Sequence, residues 1–332
     1  MKNSLIVCTY MRPEPLLTLL NSVKEQTLYP DEILIVDGST NNETANMLKQ
    51  HRFKNLSYYL VDAKSRGLTR QRNFGIAKVD SSIEVICFLD DDIVLTNTYF
   101  EVLLNTYQVH PKALAVGGYI SNQVTWTKSD SKNNVNKFHY DGWMRVEPLR
   151  FRIRRLFGLL PESPPGKLSM YSHGRSVGFL PPSKKVYEVE QIMGGASSYR
   201  KSIFEEIGFS NYFEGYGLYE DVDFSYRISC LGKLYLNTNA QLSHYHDPGG
   251  RPNQYKYGRM VVRNGWYVWR LKNNRPKFVH RIKWYAISVI LILVRCINIF
   301  QPKQSYKAFT DVLGRCSGLM SLLFSKPKNN FT

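Results

Sequence analysis

Short apolar runs alternate with amphipathic segments through the first third of the chain. Four of these runs have the length and composition of buried strands: 4–9, 32–36, 56–61 and 85–89. Three segments between them are typical of helices: 13–26, 44–50 and 69–77. Strands that are separated by single helices imply parallel crossover units. The sequence therefore predicts an α/β fold whose ligand edge lies at the carboxyl ends of the strands.

The pattern is less regular beyond residue 98. A helix at 99–107 and a strand at 113–120 precede an irregular stretch, 121–185, that is rich in Pro, Gly, Ser and basic residues. The remaining predicted elements are a strand at 186–193 and helices at 201–207 and 219–231. Within the irregular stretch, residues 149–160 mix cations with large apolar side chains. This mixture fits an amphipathic cover helix and a membrane-touching segment equally well.

Residues 284–300 form the most hydrophobic stretch of the chain, yet they include Ser288 and Arg295. The stretch is shorter than the roughly 20 mostly apolar residues that a spanning helix needs. We expect a helix that lies in the membrane interface or packs on the domain, in preference to a tilted or re-entrant membrane helix.

The composition suits a cytoplasmic globular protein. With 332 residues, 43% of them hydrophobic, the chain can hold one large α/β domain with appendages or two modest domains. Its five cysteines lack metal-ligand spacing, and Cys8 and Cys87 lie in apolar strand patterns. Buried thiols in a reducing compartment are therefore expected, and no signal-peptide pattern precedes the first strand.

The formal charge of +17 is concentrated towards the carboxyl terminus, where residues 248–310 contain no acid. Cations alternate there with Trp and Tyr, a combination that suits an anionic membrane surface. The same combination suits single-stranded nucleic acid, so charge alone does not decide between the two partners.

Two groups of carboxylates point to chemistry at the ligand edge. Asp90, Asp91 and Asp92 follow the predicted strand 85–89, and Glu220 and Asp221 fall in the first turn of a predicted helix. Asp90 and Asp92 are two residues apart, so on an extended backbone both side chains point to one side and can hold a hard divalent metal. A solvated turn and a helix N-terminus are the alternative explanations of these two acidic groups.

Six motifs, in order, resemble family-2 glycosyltransferases of GT-A fold. They are residues 6–12 (IVCTYMR), 33–40 (ILIVDGST), 67–75 (GLTRQRNFG), 88–92 (FLDDD), 194–200 (GGASSYR) and 217–223 (GLYEDVD). The resemblance covers about residues 3–265. It implies a Rossmann-like, mixed but mainly parallel sheet flanked by helices, with a basic amphipathic extension at the carboxyl terminus. It also implies sugar transfer from a nucleotide-diphosphate sugar to a hydroxyl acceptor with inversion, and the Gln-x-x-Arg-Trp signature of processive synthases is missing.

The resemblance assigns a metal site to the acidic edge. Asp92 is the expected direct ligand of Mg²⁺ or Mn²⁺, Asp90 is shared between the metal and the ribose, and Asp91 is a lesser neighbour. The family often adds a histidine after the acidic helix, in a position that matches His244 here, with His246 two residues on. For His244 a ligand role and a structural role stay equally open.

The donor pocket is assigned in the same way. Asp37 is expected to bind the nucleobase, in a pocket that Thr9, Tyr10 and Ser39 line. Arg72 is expected to pair with phosphate or with carboxylates, the alternative being a surface helix charge, and Arg12 is a weaker candidate. Gly195, in the small-residue segment 194–196, would let the backbone approach the donor sugar or the acceptor, the alternative being a tight turn.

The acceptor side is assigned to the second acidic group. Asp221 is expected to be the general base for the acceptor hydroxyl, with Glu220 beside it. An unperturbed Asp has a pKa of about 3.9, so the acceptor proton should leave late, once the new bond is forming.

The predicted organisation is a catalytic domain over 1–265 and a basic, aromatic, membrane-associating segment over 266–332. The first comprises a nucleotide-sugar-binding half (1–120), an irregular basic insert (121–190) and an acceptor-side half (191–265). The expected partners are a nucleotide-sugar donor, a glycan or lipid-linked acceptor and the inner face of the cell membrane, without nucleic acid. A nucleic-acid-binding protein, a nucleotidyltransferase and an inactive scaffold are the alternatives. The first leaves the acidic groups unexplained. The second usually has a glycine-rich loop after the first strand, where this chain has Thr9–Pro13 without glycine, and the intact set of acids argues against the third.

Overall fold

The computed structural model describes residues 1–129, 136–246, 252–301 and 305–328. Residues 130–135 of the predicted insert, and 302–304 and 329–332 of the predicted C-terminal segment, lie outside the described residues. The chain forms two compact units. Unit 1 comprises Met1–Thr125 and Pro182–Arg251, and unit 2 comprises Trp126–Pro181 and Pro252–Thr332.

The strands, in chain order, are β1 (Asn3–Thr9), β2 (Glu32–Asp37), β3 (Leu56–Leu60), β4 (Val85–Asp90), β5 (Ile93–Leu95), β6 (Ala113–Ile120), β7 (Thr127–Lys128), β8 (Lys137–Tyr140), β9 (Trp143–Val146), β10 (Val186–Val189), β11 (Ala196–Arg200) and β12 (Lys233–His244). The α-helices are α1 (Pro13–Lys24), α2 (Glu43–Gln50), α3 (Leu68–Ile76), α4 (Tyr99–Val109), α5 (Leu149–Leu156), α6 (Ile203–Glu206), α7 (Glu220–Ser229), α8 (Gln254–Lys272), α9 (Phe278–Ile297) and α10 (Ser305–Phe324).

Unit 1 is built on a mixed sheet in the order β10-β12-β6-β11-β4-β1-β2-β3, with β5 paired to β12. The strands β4, β1, β2 and β3 pair in parallel, and β6 and β12 run in the same direction as these four. This arrangement confirms the predicted α/β fold with its mixed, mainly parallel sheet. The strands β1, β2 and β4 are buried along nearly their whole length, as their continuous apolar runs indicate for a sheet covered on both faces.

One part of the sheet differs from the prediction. No strand was predicted after residue 193, and a tight turn was the alternative for residues 194–196. Ala196–Arg200 is instead a strand that lies antiparallel between β4 and β6. Ala196 is thereby placed opposite Leu89, next to the carboxyl end of β4. The turn is confined to the residues just before the strand, because Ala196 donates its backbone N–H to the Met193 carbonyl.

Unit 2 contains regular structure where an irregular insert was predicted. The strands β7, β9 and β8 form a small antiparallel sheet, and α5 follows it. The helices α8, α9 and α10 belong to the same unit. The structure thus divides the chain at positions other than 190 and 265: β10 joins the sheet of unit 1, and residue 265 lies inside α8.

All five cysteines are free thiols, with Cys87 buried in β4 and Cys8 half-buried in β1.

Candidate active site

The three aspartates that follow the apolar run of β4 have different surroundings, and the middle one is tied into the protein. Asp91 is buried and accepts hydrogen bonds from the Thr9 hydroxyl (2.7 Å) and from Arg12 Nη1 (2.8 Å). Burial raises the pKa of Asp91 to about 6, although Arg12 and Thr9 oppose the shift. These contacts join the end of β1 to the end of β4, so Thr9, Arg12 and Asp91 shape the edge of the sheet.

Asp90, Asp92 and His244 form a cluster that suits a divalent metal. One ligand atom from each lies within 4.8 Å of the others. The pairing of β12 with β5 brings this about, because it sets His244 opposite Ile93, next to the acidic triplet. His244 Nε2 lies 2.8 Å from Asp92 Oδ1, and Arg12 Nη1 lies 3.5 Å from Asp92 Oδ2. Two carboxylates and one imidazole are ligands that Mn²⁺ and Mg²⁺ accept, so the residues present fit the expected cofactor.

His246 occupies a different position from His244. Its ring lies 4.0 Å from the His244 ring, measured between centroids, and its Nε2 lies 2.6 Å from the side-chain amide nitrogen of Gln123. Within the part of the chain that the structure describes, the metal-type cluster includes His244 and not His246.

Arg72 connects the acidic cluster at the end of β4 to helix α7. It lies on α3 with only 2% of its surface exposed, so the alternative of a surface helix charge is wrong. Its Nη1 lies 2.5 Å from Glu220 Oε1, and its Nη2 lies 3.7 Å from Asp90 Oδ1. The guanidinium also lies over the rings of Phe88 and Phe209. A cation at this depth is held by carboxylates and aromatic faces together.

Two adjacent glycines stand between the acidic groups. Gly195 accepts a hydrogen bond from the Asp90 N–H (3.2 Å), and a Cβ at this position would collide with the Asp90 carboxylate. Gly194 donates its N–H to Asp221 Oδ2 (3.2 Å), and a Cβ there would lie 2.6 Å from Glu220 Oε1. Larger residues would therefore displace the carboxylates on either side, which explains the two small residues.

Helix α7 begins with the second acidic pair, as the sequence predicts. The residue before it, Tyr219, has a left-handed backbone with φ of 70°, a conformation that is costly for a bulky residue and is concentrated at functional sites. Glu220 is buried, and burial raises its pKa above the usual range while Arg72 opposes the shift. Asp221 is half-buried, and burial likewise raises its pKa although the Gly194 and Val222 N–H groups favour the ionised form.

Asp37 lies fully buried at the end of β2. Its Oδ1 accepts from the Ser39 N–H (2.8 Å) and its Oδ2 accepts from the Tyr58 hydroxyl (2.9 Å). Ser39 in turn accepts from the Met11 N–H (2.7 Å). Tyr10 is exposed beside this group, with the Arg66 guanidinium 5.9 Å from the centre of its ring.

Sequence reasoning missed three residues of this edge: Tyr58, Arg66 and Gln71. The Gln71 amide donates to the carbonyls of Thr9 and Val36, which ties the ends of β1 and β2 to α3. Arg66 donates to the Gly38 carbonyl (2.6 Å). Gln71 lies in the motif 67–75 directly before Arg72, and this position was the available signal for it.

The fold and the acidic edge together define an α/β protein of the GT-A type. The model of glycosyl transferase family 2 matches residues 4–208, more than half of the chain, and the chain belongs to that family. This confirms the resemblance seen in the sequence motifs.

Two curated proteins and one solved structure are similar to the chain. The O-antigen chain rhamnosyltransferase RfbN of Salmonella typhimurium is 31% identical over 118 residues, which cover 36% of this chain and 37% of the relative. The glucosyl-dolichyl phosphate glucuronosyltransferase of Haloferax volcanii is 33% identical over 125 residues, which cover 36% of this chain and 38% of the relative. The aligned parts thus span little more than a third of each relative. The structure of GalNAc-T7 with UDP, GalNAc and Mn²⁺ superposes with a TM-score of 0.52 at 15% identity, covering 91% of this chain and 58% of that one, a likeness of fold.

Proposed function

We propose that this protein is an inverting, metal-dependent glycosyltransferase that moves a sugar from a nucleoside-diphosphate sugar to a hydroxyl group of a lipid-linked glycan. The observation that carries the proposal is the position of Gly194 and Gly195. Gly195 contacts Asp90 of the metal-type cluster, and Gly194 contacts Asp221 at the start of α7. These contacts support a donor site and a base on either side of one dipeptide.

The donor side is assigned to the cluster at the end of β4. Asp90, Asp92 and His244 would hold Mn²⁺ or Mg²⁺, and the metal would stabilise the charge of the leaving diphosphate. Asp91 keeps the edge in place through Thr9 and Arg12. The family membership and the manganese in the GalNAc-T7 structure support this assignment.

The nucleobase is assigned to the pocket at the ends of β1 and β2. Tyr10 offers an exposed ring on which a base can stack. The carboxylate of Asp37 is held by Ser39 and Tyr58 and is the proposed acceptor for a base N–H. Because it is fully buried, a neighbouring side chain would have to move when the base binds.

Asp221 is the proposed general base on the acceptor side. Its carboxylate removes the proton from the acceptor hydroxyl while that oxygen attacks C1 of the donor sugar, opposite the nucleotide. The bond from C1 to the diphosphate oxygen breaks, and the anomeric configuration inverts. Burial raises the pKa of Asp221, and a raised pKa makes the carboxylate a stronger base than an exposed aspartate. Glu220 acts through Arg72, which it fixes next to Asp90.

The names of the two curated relatives support a lipid-linked acceptor. One name specifies an O-antigen chain and the other a dolichyl phosphate. We infer by analogy that this chain extends a glycan on a lipid carrier at the inner face of the cell membrane.

The test is nucleotide release from UDP-, GDP- and dTDP-sugars, with Mn²⁺ or with EDTA, by the wild type, Asp92→Ala and Asp221→Asn. We expect slow, metal-dependent hydrolysis of one donor class that is lost in Asp92→Ala. Asp221→Asn should keep this hydrolysis and lose the stimulation by added acceptor extract. If the wild type releases nucleotide from none of the donors and none of them protects it against thermal unfolding, the transferase proposal is wrong and an inactive scaffold takes its place.

A further inference from the structure

Helix α9 presents a stripe of apolar side chains to solvent. Between residues 282 and 297 every exposed residue of the helix is apolar: Ile282, Val289, Leu293 and Ile297. These positions are seven and four residues apart, so they lie on one face of the helix. The opposite side is packed: Trp284 belongs to an aromatic cluster with Trp266 and Trp269, and Ile287 and Ile290 pack against Leu159 and Tyr171.

Helix α10 presents a second stripe of the same kind. From residue 309 to residue 324 every exposed position is again apolar: Phe309, Leu313, Met320, Leu323 and Phe324. Phe324 has 89% of its surface exposed, and Phe300, at the end of the 3₁₀ turn Asn298–Phe300 after α9, has 86%. Single exposed apolar residues are ordinary, whereas two adjoining helices with fully apolar outer stripes mark an interaction surface.

The charge of residues 252–332 indicates what kind of partner the apolar stripes would bind. Asp311 is the one acid in the sequence from 252 to 332, and it is buried in ion pairs with Arg295 and Arg315. The described part of this region therefore exposes no carboxylate. It exposes cations on α8, on α9 and α10 themselves, and on the segments that flank them: Lys256, Arg259, Arg275, Lys277, Arg281, Lys307, Lys326 and Lys328. Apolar side chains bordered by cations are complementary to an anionic lipid surface.

We propose that α9 and α10 lie in the plane of an anionic membrane, with the two apolar stripes inserted among the acyl chains and the cations at the headgroups. This proposal does not depend on the proposed transferase reaction. A second copy of the chain is a poorer occupant of the surface, because it would bring two cationic borders together.

The packing of α9 argues against a spanning helix. Among the described residues, Phe278–Phe300 is the one segment long and apolar enough to cross a membrane. Arg295 lies within it and is paired with the buried Asp311 of α10, so the two helices are held together. α9 also packs against α5 and its flanking residues, and α5 exposes Arg150 and Arg152. If α9 crossed the bilayer, these cations would be drawn towards the hydrocarbon at a large cost.

The test is flotation of the full chain with vesicles of phosphatidylcholine alone or with added phosphatidylglycerol, at about 0.1 M salt, where the Debye length is about 10 Å. We expect flotation with the anionic vesicles only. The double variant Leu293→Glu/Ile297→Glu should lose binding at least tenfold. The matched control is Leu60→Glu, which changes an equally exposed leucine in unit 1 and should float like the wild type. Circular dichroism melting verifies that each variant is folded.

A second variant measures the electrostatic contribution to membrane binding. Arg275→Gln/Lys277→Gln/Arg281→Gln should weaken binding to the anionic vesicles by about 100-fold, at roughly fivefold for each cation.

Three results would overturn the proposal. One is equal flotation with neutral vesicles that survives an alkaline carbonate wash, which indicates a spanning helix. Another is anionic binding that the stripe variant retains. The third is a dimer in gel filtration that the stripe variant dissolves, without any flotation. Because flotation requires no catalysis, a failed donor assay leaves this test intact.

Discussion

Arg72 holds together two carboxylates that the proposed reaction needs in different places. Its guanidinium lies 2.5 Å from Glu220 at the start of α7 and 3.7 Å from Asp90 at the end of β4. The two carboxylates are thus connected by one side chain that has almost no contact with water. Helix α7 and the metal-type cluster are therefore connected within unit 1 through the buried Arg72 side chain.

Removing this cation should destabilise the protein strongly. Arg72→Met leaves Glu220 buried and uncompensated, so we expect a loss of about 3–5 kcal/mol in the free energy of unfolding. Arg70 on the same helix pairs with Glu214 near the surface, and Arg70→Met should cost less than about 1 kcal/mol. Denaturant titration of both variants checks the prediction. Equal losses of unfolding free energy in the two variants would show that the Arg72–Glu220 pair contributes no more to stability than the Arg70–Glu214 pair.

A methyl group at Gly195 should damage the donor side. Its Cβ would occupy the space of the Asp90 carboxylate, so Gly195→Ala should move that carboxylate away from Asp92 and His244. Overpacking of this kind costs about 1–3 kcal/mol, and we expect a comparable loss of affinity for Mn²⁺ together with nucleoside diphosphate. Gly208→Ala is the control, because its methyl group would meet only the Asn73 side chain. Calorimetric titration should distinguish the two, and similar affinities would contradict the close approach.

The proposed base should appear in the pH dependence of transfer. Burial raises the pKa of Asp221, and the base must be ionised to accept a proton. Activity should therefore rise with pH, and the acid limb of kcat/KM should lie above the value of about 3.9 at which an exposed aspartate titrates. In Asp221→Asn the limb should disappear and the remaining rate should be lower by at least 100-fold. A limb that persists in this variant belongs to another group.

Unit 2 should lose stability in mild acid through His173. This histidine is buried, and burial lowers its pKa below the usual 6.5 although its hydrogen bond with the Gly265 carbonyl opposes the shift. Its neutral form is thus preferred in the fold. The stabilisation that neutral His173 gives to the folded state is complete above about pH 6.5. It is lost as the pH falls towards the lowered pKa of His173 in the folded protein. Melting temperatures between pH 8 and pH 5 should fall less for His173→Gln than for the wild type. The exposed control His51→Gln should retain the wild-type slope.

Much of unit 1 could be predicted because each strand is specified locally. The apolar runs of β1, β2 and β4 needed no information beyond their own residues, and the carboxylates after them mark the edge of the sheet. Two features depended on residues far apart in the chain. Strand β11 is short and contains Ser197 and Ser198, whose hydroxyls are satisfied by the Gly194 and Val116 carbonyls only after folding. The position of His244 beside Asp92 results from the pairing of β12 with β5.

The sequence alone also could not predict which charged residues are buried. Arg72 resembles an exposed helix cation until Phe88, Phe209 and Glu220 are known to surround it. In unit 2 the predicted insert has no clear alternation of hydrophobic and polar residues, so its short strands could not be recognised in the sequence. The composition of the C-terminal region indicated membrane contact, but only the exposed positions of α9 and α10 show which faces are available.

The proposed metal-bound donor site is tested by calorimetric binding of UDP, GDP and dTDP, with and without Mn²⁺, to the wild type, Asp92→Asn and Asp221→Asn. We expect that one nucleotide binds the wild type in a metal-dependent manner, that Asp92→Asn weakens this binding at least tenfold, and that Asp221→Asn leaves it unchanged. Binding that is independent of Mn²⁺, or that is weakened equally by both substitutions, would contradict the division of this edge into a metal-bound donor side and a separate base.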